Sequence, residues 1–228
     1  MSSVRSAIMS LIDSLNWRYA TKKFDPTKKV SDTDIAILKD AVRLTPSSYG
    51  FQLYKVIVVT DQKIKDKLYK KSYYQSQIRD CSHLFVFCSY KEVEEKHIDE
   101  FIDLMEEARQ QDDERGYLDK LKSKAKIVAY GTIAKTDLGN RNKDELFNWM
   151  QKQCYLAISQ LMVACADMKI DSCPFEGFST EGYDSILELE DRNLTSTVLL
   201  PVGYRAKNDR HQYRNKVRKP NNLLFEDK

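Results

Sequence analysis

The side chains able to do chemistry lie in a few separated groups. Arg18 and Lys22 stand four apart in an early loop, and Ser47-Ser48 sits in a turn framed by Pro46 and Gly50. Gln75 and Gln77 follow, then Pro174-Phe175-Glu176-Gly177, and finally Lys216-Val217-Arg218 within a basic run that also holds Arg205, Lys207, Arg210, Arg214 and Lys219. Taken singly, each group has an ordinary reading. Loop cations are usually solvated, paired serines form turns, and a Glu-Gly pair is a common turn dipeptide. A cluster of arginines and lysines also suits a phosphate, because the guanidinium fork matches phosphate oxygens. By composition alone, a solvated tail or a nucleic-acid surface fits the same run.

Other chemistries are excluded by what is missing. The seven glycines include neither G-x-G-x-x-G nor G-x-x-x-x-G-K-[ST], so any phosphate must be held by side chains rather than a glycine-rich backbone loop. There is no H-E-x-x-H, and the three histidines, His83, His97 and His211, lie far from ligand-spaced partners, so no metal site is expected. Ser47-Ser48 is outside any G-x-S-x-G elbow, which removes a serine hydrolase. His83, at the edge of an apolar strand, reads as a boundary histidine rather than a general base. The five cysteines are odd in number and lack a C-x-x-C pair, which suits a reducing cytoplasm. The N-terminal apolar run is short and broken by Asp13, so neither a signal peptide nor an anchor is expected. With 42% hydrophobic and 31% charged residues, the 228-residue chain has the mixture of a folded aqueous protein without membrane spans, and its net charge of +3 singles out no partner.

Apolar periodicity supplies the elements that must position these groups. Val4–Leu15 reads as an opening amphipathic helix and 17–26 as its exit loop. Ser31 with Asp34 three residues on resembles a capping box, starting a helix that runs to about Leu44 and is closed by Pro46. Tyr54–Thr60 and His83–Tyr90 are expected to be buried strands, with a short helix opening at Asp61 between them. From Glu94 to Lys126 the sequence is highly charged with apolar residues at helical spacing, predicting a long, largely exposed helical excursion, a lid or an interface arm. Glu145–Met168 is the expected central helix. A short segment over Ile170–Phe175, a helix over Tyr183–Leu189 and a strand over Thr197–Gly203 complete one α/β domain spanning 1–228, with helices around a small sheet and the excursion near 94–139.

The order of the groups resembles the nitroreductase family, in its oxygen-insensitive NAD(P)H nitroreductase and flavin reductase branch, over essentially the whole chain. Six blocks carry the likeness: Arg18-Tyr-Ala-Thr-Lys-Lys-Phe-Asp25; Pro46-Ser-Ser with Gln52-Leu53-Tyr54; Gln75-x-Gln-Ile-x-Asp-x-Ser-His83; Trp149-x-x-Lys-Gln-x-Tyr-Leu156; Pro174-Phe-Glu-Gly-Phe178; and Lys216-x-Arg218. The resemblance implies an α+β sandwich with a small, mostly antiparallel central sheet surrounded by helices, in an intertwined homodimer with FMN at the subunit interface. It implies that Arg18, Lys216 and Arg218 hold the FMN phosphate and that Lys22 lies against the pyrimidine edge of the flavin, where a cation favours the reduced ring. Gln77 would be another donor to that edge. Glu176 and Gly177 would aim backbone amides at flavin N5. Tyr19, Ala20, Gln153, Pro174 and Phe175 would line the cofactor, and Pro46, Ser47, Ser48 and Gly50 would come from the opposite subunit.

The implied activity is ping-pong transfer of hydride from NAD(P)H through flavin N5 to nitroaromatics, quinones, flavins or pterins, with Lys22 and Glu176 as the catalytic residues. A flavin-binding sensor or storage protein, keeping the FMN anchors without efficient turnover, is the alternative, told apart by whether NAD(P)H bleaches the bound flavin. The resemblance leaves no role for nucleic acid or membrane. Some positions depart from the family pattern: Gly50 replaces Asn, Leu53-Tyr54 replace Pro-Trp, Ala20 stands where Ser is common, and Tyr74 stands where a flavin-contacting Asn is common. Tyr74 either turns away, leaving Gln77 and Lys22 to satisfy the edge, or places its ring over the acceptor pocket.

Overall fold

The computed structural model describes residues 11–110 and 117–228, apart from the side chains of 109, 110 and 117–123. The expected opening helix is seen as α1 over residues 11–17, its residues 4–10 lying outside the described ones. The remaining elements are α2 (Asp32–Arg43), β1 (Tyr54–Val59), α3 (Gln62–Lys70), α4 (Ser76–Asp80), β2 (His83–Tyr90), α5 (Glu95–Gln110), α6 (Tyr117–Gly139), α7 (Lys143–Asp167), β3 (Asp171–Ser172), α8 (Thr180–Ile186), β4 (Leu194–Gly203) and α9 (Asn221–Leu224).

Four strands form one sheet in the order β1-β2-β4-β3, antiparallel throughout. Its centre is β2 against β4, and both read as near-continuous apolar runs because helices cover both faces of the sheet. On one side α2 and α7 pack Leu38, Val42, Cys154, Ile158 and Leu161 against Phe85, Phe87, Val198 and Leu200. On the other, Leu68 of α3, Ile78 of α4 and Tyr183 of α8 meet Leu84, Val86 and Leu199. Alternate β2 residues thus point into different cores, as strand pleating requires. Helix α7 is the long central helix, started by Asn142, whose side chain accepts from the Asp144 amide at 2.8 Å.

Two expectations are corrected and two are filled in. The run over Tyr54–Thr60 is an edge strand rather than a buried one: Lys55 is exposed and Val56 to Val58 are half-buried, because β1 pairs only with β2. The helix expected over Tyr183–Leu189 starts three residues earlier, at Thr180, where the Ser179 hydroxyl accepts from the Gly182 amide at 3.1 Å. The segment over Ile170–Phe175 contributes a two-residue strand and two bridges, Ser172 to Ala20 and Phe175 to Leu199. The 94–139 excursion is two helices, α5 and α6, that pack together and build a third core. Ile98, Ala134 and Leu138 are buried there with Phe51, Leu53 and Met150, so the pair sits on the chain segment after the Pro46 turn. The apolar residues at helical spacing, Ile98, Phe101 and Ile102 among them, form the inward stripe, while much of both helices stays exposed.

Candidate cofactor site

The loop leaving α1 is laced across the ends of β3 and β4. Ala20 bridges Ser172, Phe24 bridges Arg205, and the Asp25 amide donates to the Tyr204 carbonyl at 2.8 Å. Two buried carboxylates stand behind it. Asp171 takes the Arg205 guanidinium (Nε at 2.7 Å, Nη2 at 2.6 Å) and its backbone amide at 2.8 Å. That guanidinium lies 4.2 Å from the centre of the Trp17 ring and 4.6 Å from that of Tyr19. Asp209 receives the Tyr19 hydroxyl at 2.9 Å and the amides of Lys22 and Lys23 at 2.8 and 3.1 Å.

In front of the loop is a cluster of cations. The Lys216 ammonium donates to the Leu15 and Arg18 carbonyls, the latter at 2.6 Å, and so satisfies acceptors left open where α1 ends. Arg218 donates to its neighbour's carbonyl, Val217 O, at 2.6 Å. Arg18 Nε is buried with no hydrogen-bond partner. Among the described residues, none of Arg18, Lys22, Lys216 and Arg218 is ion-paired with a carboxylate. Burial, and then the charge of Arg218, lowers the affinity of Arg18 for its proton, while burial, Arg18 and Arg218 do the same to Lys216. The arrangement is therefore one of mutually repelling cations around a desolvated donor, and an anion relieves it. Lys22 points its ammonium to 3.9 Å from Cys173 Sγ; burial pushes that thiol's pKa up, and Lys22 and Arg18 partly offset it.

Cys173 leads directly into Pro174-Phe175-Glu176-Gly177. The Phe175 ring belongs to the core, with its edge beside Gly177, and its backbone is pinned to Leu199 at 2.9 and 3.0 Å. Pro174, Glu176 and Gly177 are exposed on the turn that follows. A Cβ at Gly177 would come within 3.1 Å of Gln75 Nε2, which places Gln75 beside this turn. Glu176 Oε1 accepts from the Tyr155 hydroxyl at 2.7 Å, and burial followed by that bond raises the phenol to about 12. Gln77 is buried in α4. Tyr74, left-handed with φ 58°, is 67% exposed and sets its ring edge-on to Tyr69 at 5.4 Å.

The Pro46 turn is held differently. The Ser48 amide donates to Gln153 Oε1 at 2.9 Å, and Gln153 Nε2 donates to the Trp149 carbonyl at 3.0 Å, so both ends of that buried amide are used within the chain. Tyr49 reaches Asp137 at 2.8 Å, and Tyr130 donates to the Tyr49 carbonyl at 2.9 Å. Gly50 has φ +78° and lies under Phe101, where a Cβ would be 2.8 Å from the ring. Among the described residues, no hydrogen bond or ion pair joins this turn to the cation cluster. The structure thus brings Arg18, Lys22, Lys216, Arg218 and the Pro174 run to one end of the sheet and leaves Pro46, Ser47, Ser48 and Gly50 on a separate scaffold. Asp171, Asp209 and Tyr155 were not singled out from sequence. Asp209 carried a usable signal, being the one acid between Arg205 and Lys219.

Among the described residues no helix is long and apolar enough to cross a membrane, and no group of three or more His, Cys, Asp or Glu is placed to hold a metal. The model of the Nitroreductase family matches residues 15–204, so Asp209, Lys216 and Arg218 lie just beyond the matched span. A Bacillus subtilis protein named "Putative NAD(P)H nitroreductase YfkO" is 34% identical over 216 residues, covering 91% of this chain and 94% of that one. The crystal structure of a B. subtilis protein described as "putative nitroreductase ydfN" has a TM-score of 0.78 at 19% identity, over 97% of this chain and 100% of that chain. Another, from Exiguobacterium sibiricum and solved in complex with FMN, has a TM-score of 0.78 at 18% identity, over 96% of each chain. With a matched span that covers the loop of Arg18, the sheet and the Pro174 turn, this chain belongs to the nitroreductase family.

Proposed function

We propose that this chain is an FMN-dependent NAD(P)H oxidoreductase that acts as a homodimer and reduces nitroaromatics, quinones, flavins or pterins by ping-pong turnover. The observation that carries the reading is Arg18, with one nitrogen buried and unpartnered amid cations that lack a counter-charge. A flavin phosphate is the anion that site suits, and no glycine-rich loop competes for it. The FMN complex of the Exiguobacterium neighbour and the NAD(P)H nitroreductase name of the B. subtilis relative support the same reading.

When bound, FMN supplies a ring that accepts hydride from NAD(P)H at N5 and returns it to an acceptor. The chain's own work is positional and electrostatic. Arg18, Lys216 and Arg218 bind the phosphate; Lys22 sets a positive charge where the reduced ring carries negative charge. Glu176 and Gly177 offer main-chain amides on an exposed turn, and the Tyr155 hydroxyl fixes the Glu176 side chain. Gly177 lets a ring approach the backbone. One face serves donor and acceptor in turn, so the oxidised nicotinamide leaves before the acceptor arrives.

A second copy completes the site. Tyr155 and Leu156 are 42% and 49% exposed on α7, and Val217, Leu223, Leu224 and Phe225 are exposed beyond the cation cluster, an apolar surface suited to a like subunit. The opposite copy's Pro46-Ser-Ser turn then closes the cofactor's other side. The five free, buried cysteines fit a cytoplasmic protein.

The test is the visible spectrum of the purified protein before and after anaerobic NADH or NADPH. A flavin spectrum that bleaches with either donor, and returns when a quinone or nitroaromatic is added, is the expected result. Retained flavin that neither donor bleaches supports the sensor reading instead, and protein that takes up no FMN overturns both.

A further inference from the structure

Asp209 is 1% exposed, yet it carries five hydrogen-bonding contacts. Its two oxygens divide the work. Oδ2 accepts from Tyr19 Oη at 2.9 Å, Lys22 N at 2.8 Å and Lys23 N at 3.1 Å. Oδ1 accepts from His211 N at 3.0 Å and lies 3.2 Å from His211 Nδ1, capping the short helical turn Arg210–Tyr213. One carboxylate therefore joins the loop that carries Arg18 and Lys22 to the segment that leads to Lys216 and Arg218. Asp171 ties the same loop through Thr21 at 3.4 Å, but to Arg205 rather than to the segment that leads to Lys216 and Arg218.

We propose that Asp209 is a positioning residue for the cofactor site, holding the Arg18/Lys22 loop and the Lys216/Arg218 segment in the relative placement that binding requires. This role rests on the reading of the cluster as the FMN phosphate site. Burial alone would raise the carboxyl's pKa, but the bonds from His211, Lys22, Tyr19 and Lys23 hold it down to about 2, so the acceptor is charged at every working pH. A carboxylate suits the place because both oxygens face donors. The amide of asparagine has the same shape but must turn its NH2 toward one of the two donor sets. Lys22 and Lys23 are directly exposed to the change, because the amide of each is one of the bonds and both side chains are exposed.

The experiment compares wild type with Asp209→Asn, and with Asp184→Asn as a control. Asp184 is another buried carboxylate, bonded to Thr195 and Ser196, that ties α8 to β4 far from the cluster in sequence. FMN affinity is read by flavin fluorescence well below every melting temperature, and amide hydrogen exchange is followed over residues 18–24 of the cofactor-free chain. Asp209→Asn is expected to weaken FMN by about tenfold or more, as loss of one charge-assisted bond set would, and to accelerate exchange at Lys22 and Lys23. Asp184→Asn should leave both unchanged. Tyr19→Phe, which removes one donor and leaves the carboxylate in place, should show the same effects in smaller degree and keeps the test open if Asp209→Asn does not fold. Wild-type affinity and exchange in Asp209→Asn, or in Tyr19→Phe where only that variant folds, overturns the role. So does equal FMN loss in Asp184→Asn. Wild-type protein that takes up no FMN overturns the reading of the cluster and this role with it.

Discussion

Replacing Arg18 with methionine separates two quantities that the cation cluster sets in opposition. Methionine keeps an unbranched stem to pack where Arg18 is half-buried, and the Arg18 carbonyl that Lys216 uses at 2.6 Å is unaffected. What is lost is the guanidinium whose Nε is buried without a partner. A charge-assisted bond from that group to phosphate is worth about 1.5–3 kcal/mol, so FMN should bind about 10- to 150-fold more weakly. Riboflavin, which lacks the phosphate, should bind nearly as before. In the cofactor-free chain the sign reverses. Arg18 repels Lys216 and Arg218, and at water-like screening each such repulsion is worth at most about 1 kcal/mol. With both repulsions removed, Arg18→Met should therefore leave the free protein as stable as wild type or up to about 2 kcal/mol more stable. Fluorescence titrations with both flavins and denaturant unfolding without flavin measure all three. Parallel weakening of FMN and riboflavin, or a free protein destabilised by more than about 1 kcal/mol, would refute the reasoning.

Three further outcomes are expected. Gly50→Ala forces a left-handed backbone at φ +78° and a Cβ 2.8 Å from the Phe101 ring, so it should cost roughly 1–2 kcal/mol for the backbone plus a steric share. Adding Phe101→Leu should return the steric share only, as chemical denaturation of the single and double variants will show. Asp209 has a folded pKa of about 2 against an ordinary 3.8, so its stabilisation is complete above about pH 4 and is lost as pH falls toward 2. The stability gap between wild type and Asp209→Asn in urea should accordingly shrink by up to about 2 kcal/mol between pH 5 and pH 2, and a constant gap would remove the carboxylate's charge from the account. Lys22→Ala should retain FMN but slow anaerobic bleaching by NAD(P)H in stopped flow, because the charge it offsets belongs mainly to the reduced ring; unchanged bleaching would take Lys22 out of the mechanism.

How much was legible from sequence depended on whether a signal was local. The Ser31 cap was, and the structure shows it: Asp34 N donates to Ser31 Oγ at 3.1 Å, and Ser31 Oγ donates to Asp34 Oδ2 at 2.8 Å. So were β2 and α7, whose periodicity survives into the buried residues of both elements. An apolar run gives no sign of how many neighbours a strand has, and β1 was therefore read as buried although it has one. Helices α5 and α6 were legible as a largely exposed excursion with an apolar stripe, but the partners of that stripe, Phe51, Leu53 and Met150, were not, because they are distant in sequence. In the site, Arg18, Lys22, Lys216 and Arg218 were visible through residue type and order. The residues that hold them were not, because a buried aspartate is defined by donors scattered along the chain. Tyr155 and Glu176, 21 residues apart, are a pair for the same reason and carry no local mark.

The bond between Tyr19 and Asp209 spans 190 positions of the chain. At a synthesis rate of roughly 5–20 residues per second, the loop bearing Arg18 waits about 10–40 s before its clamp leaves the ribosome. By then Gly203 has been added, so every strand of the sheet already exists. The cation cluster thus assembles after the sheet that supports it, because Lys216 and Arg218 follow every strand in the chain. A cofactor recruited there cannot template the early collapse; it can only lock a chain whose sheet has already formed. A chain cut between Gly203 and Asp209 keeps the residues of all four strands but lacks Asp209, Lys216 and Arg218, so on the proposed reading FMN uptake would report on the segment beyond the sheet as well as on folding.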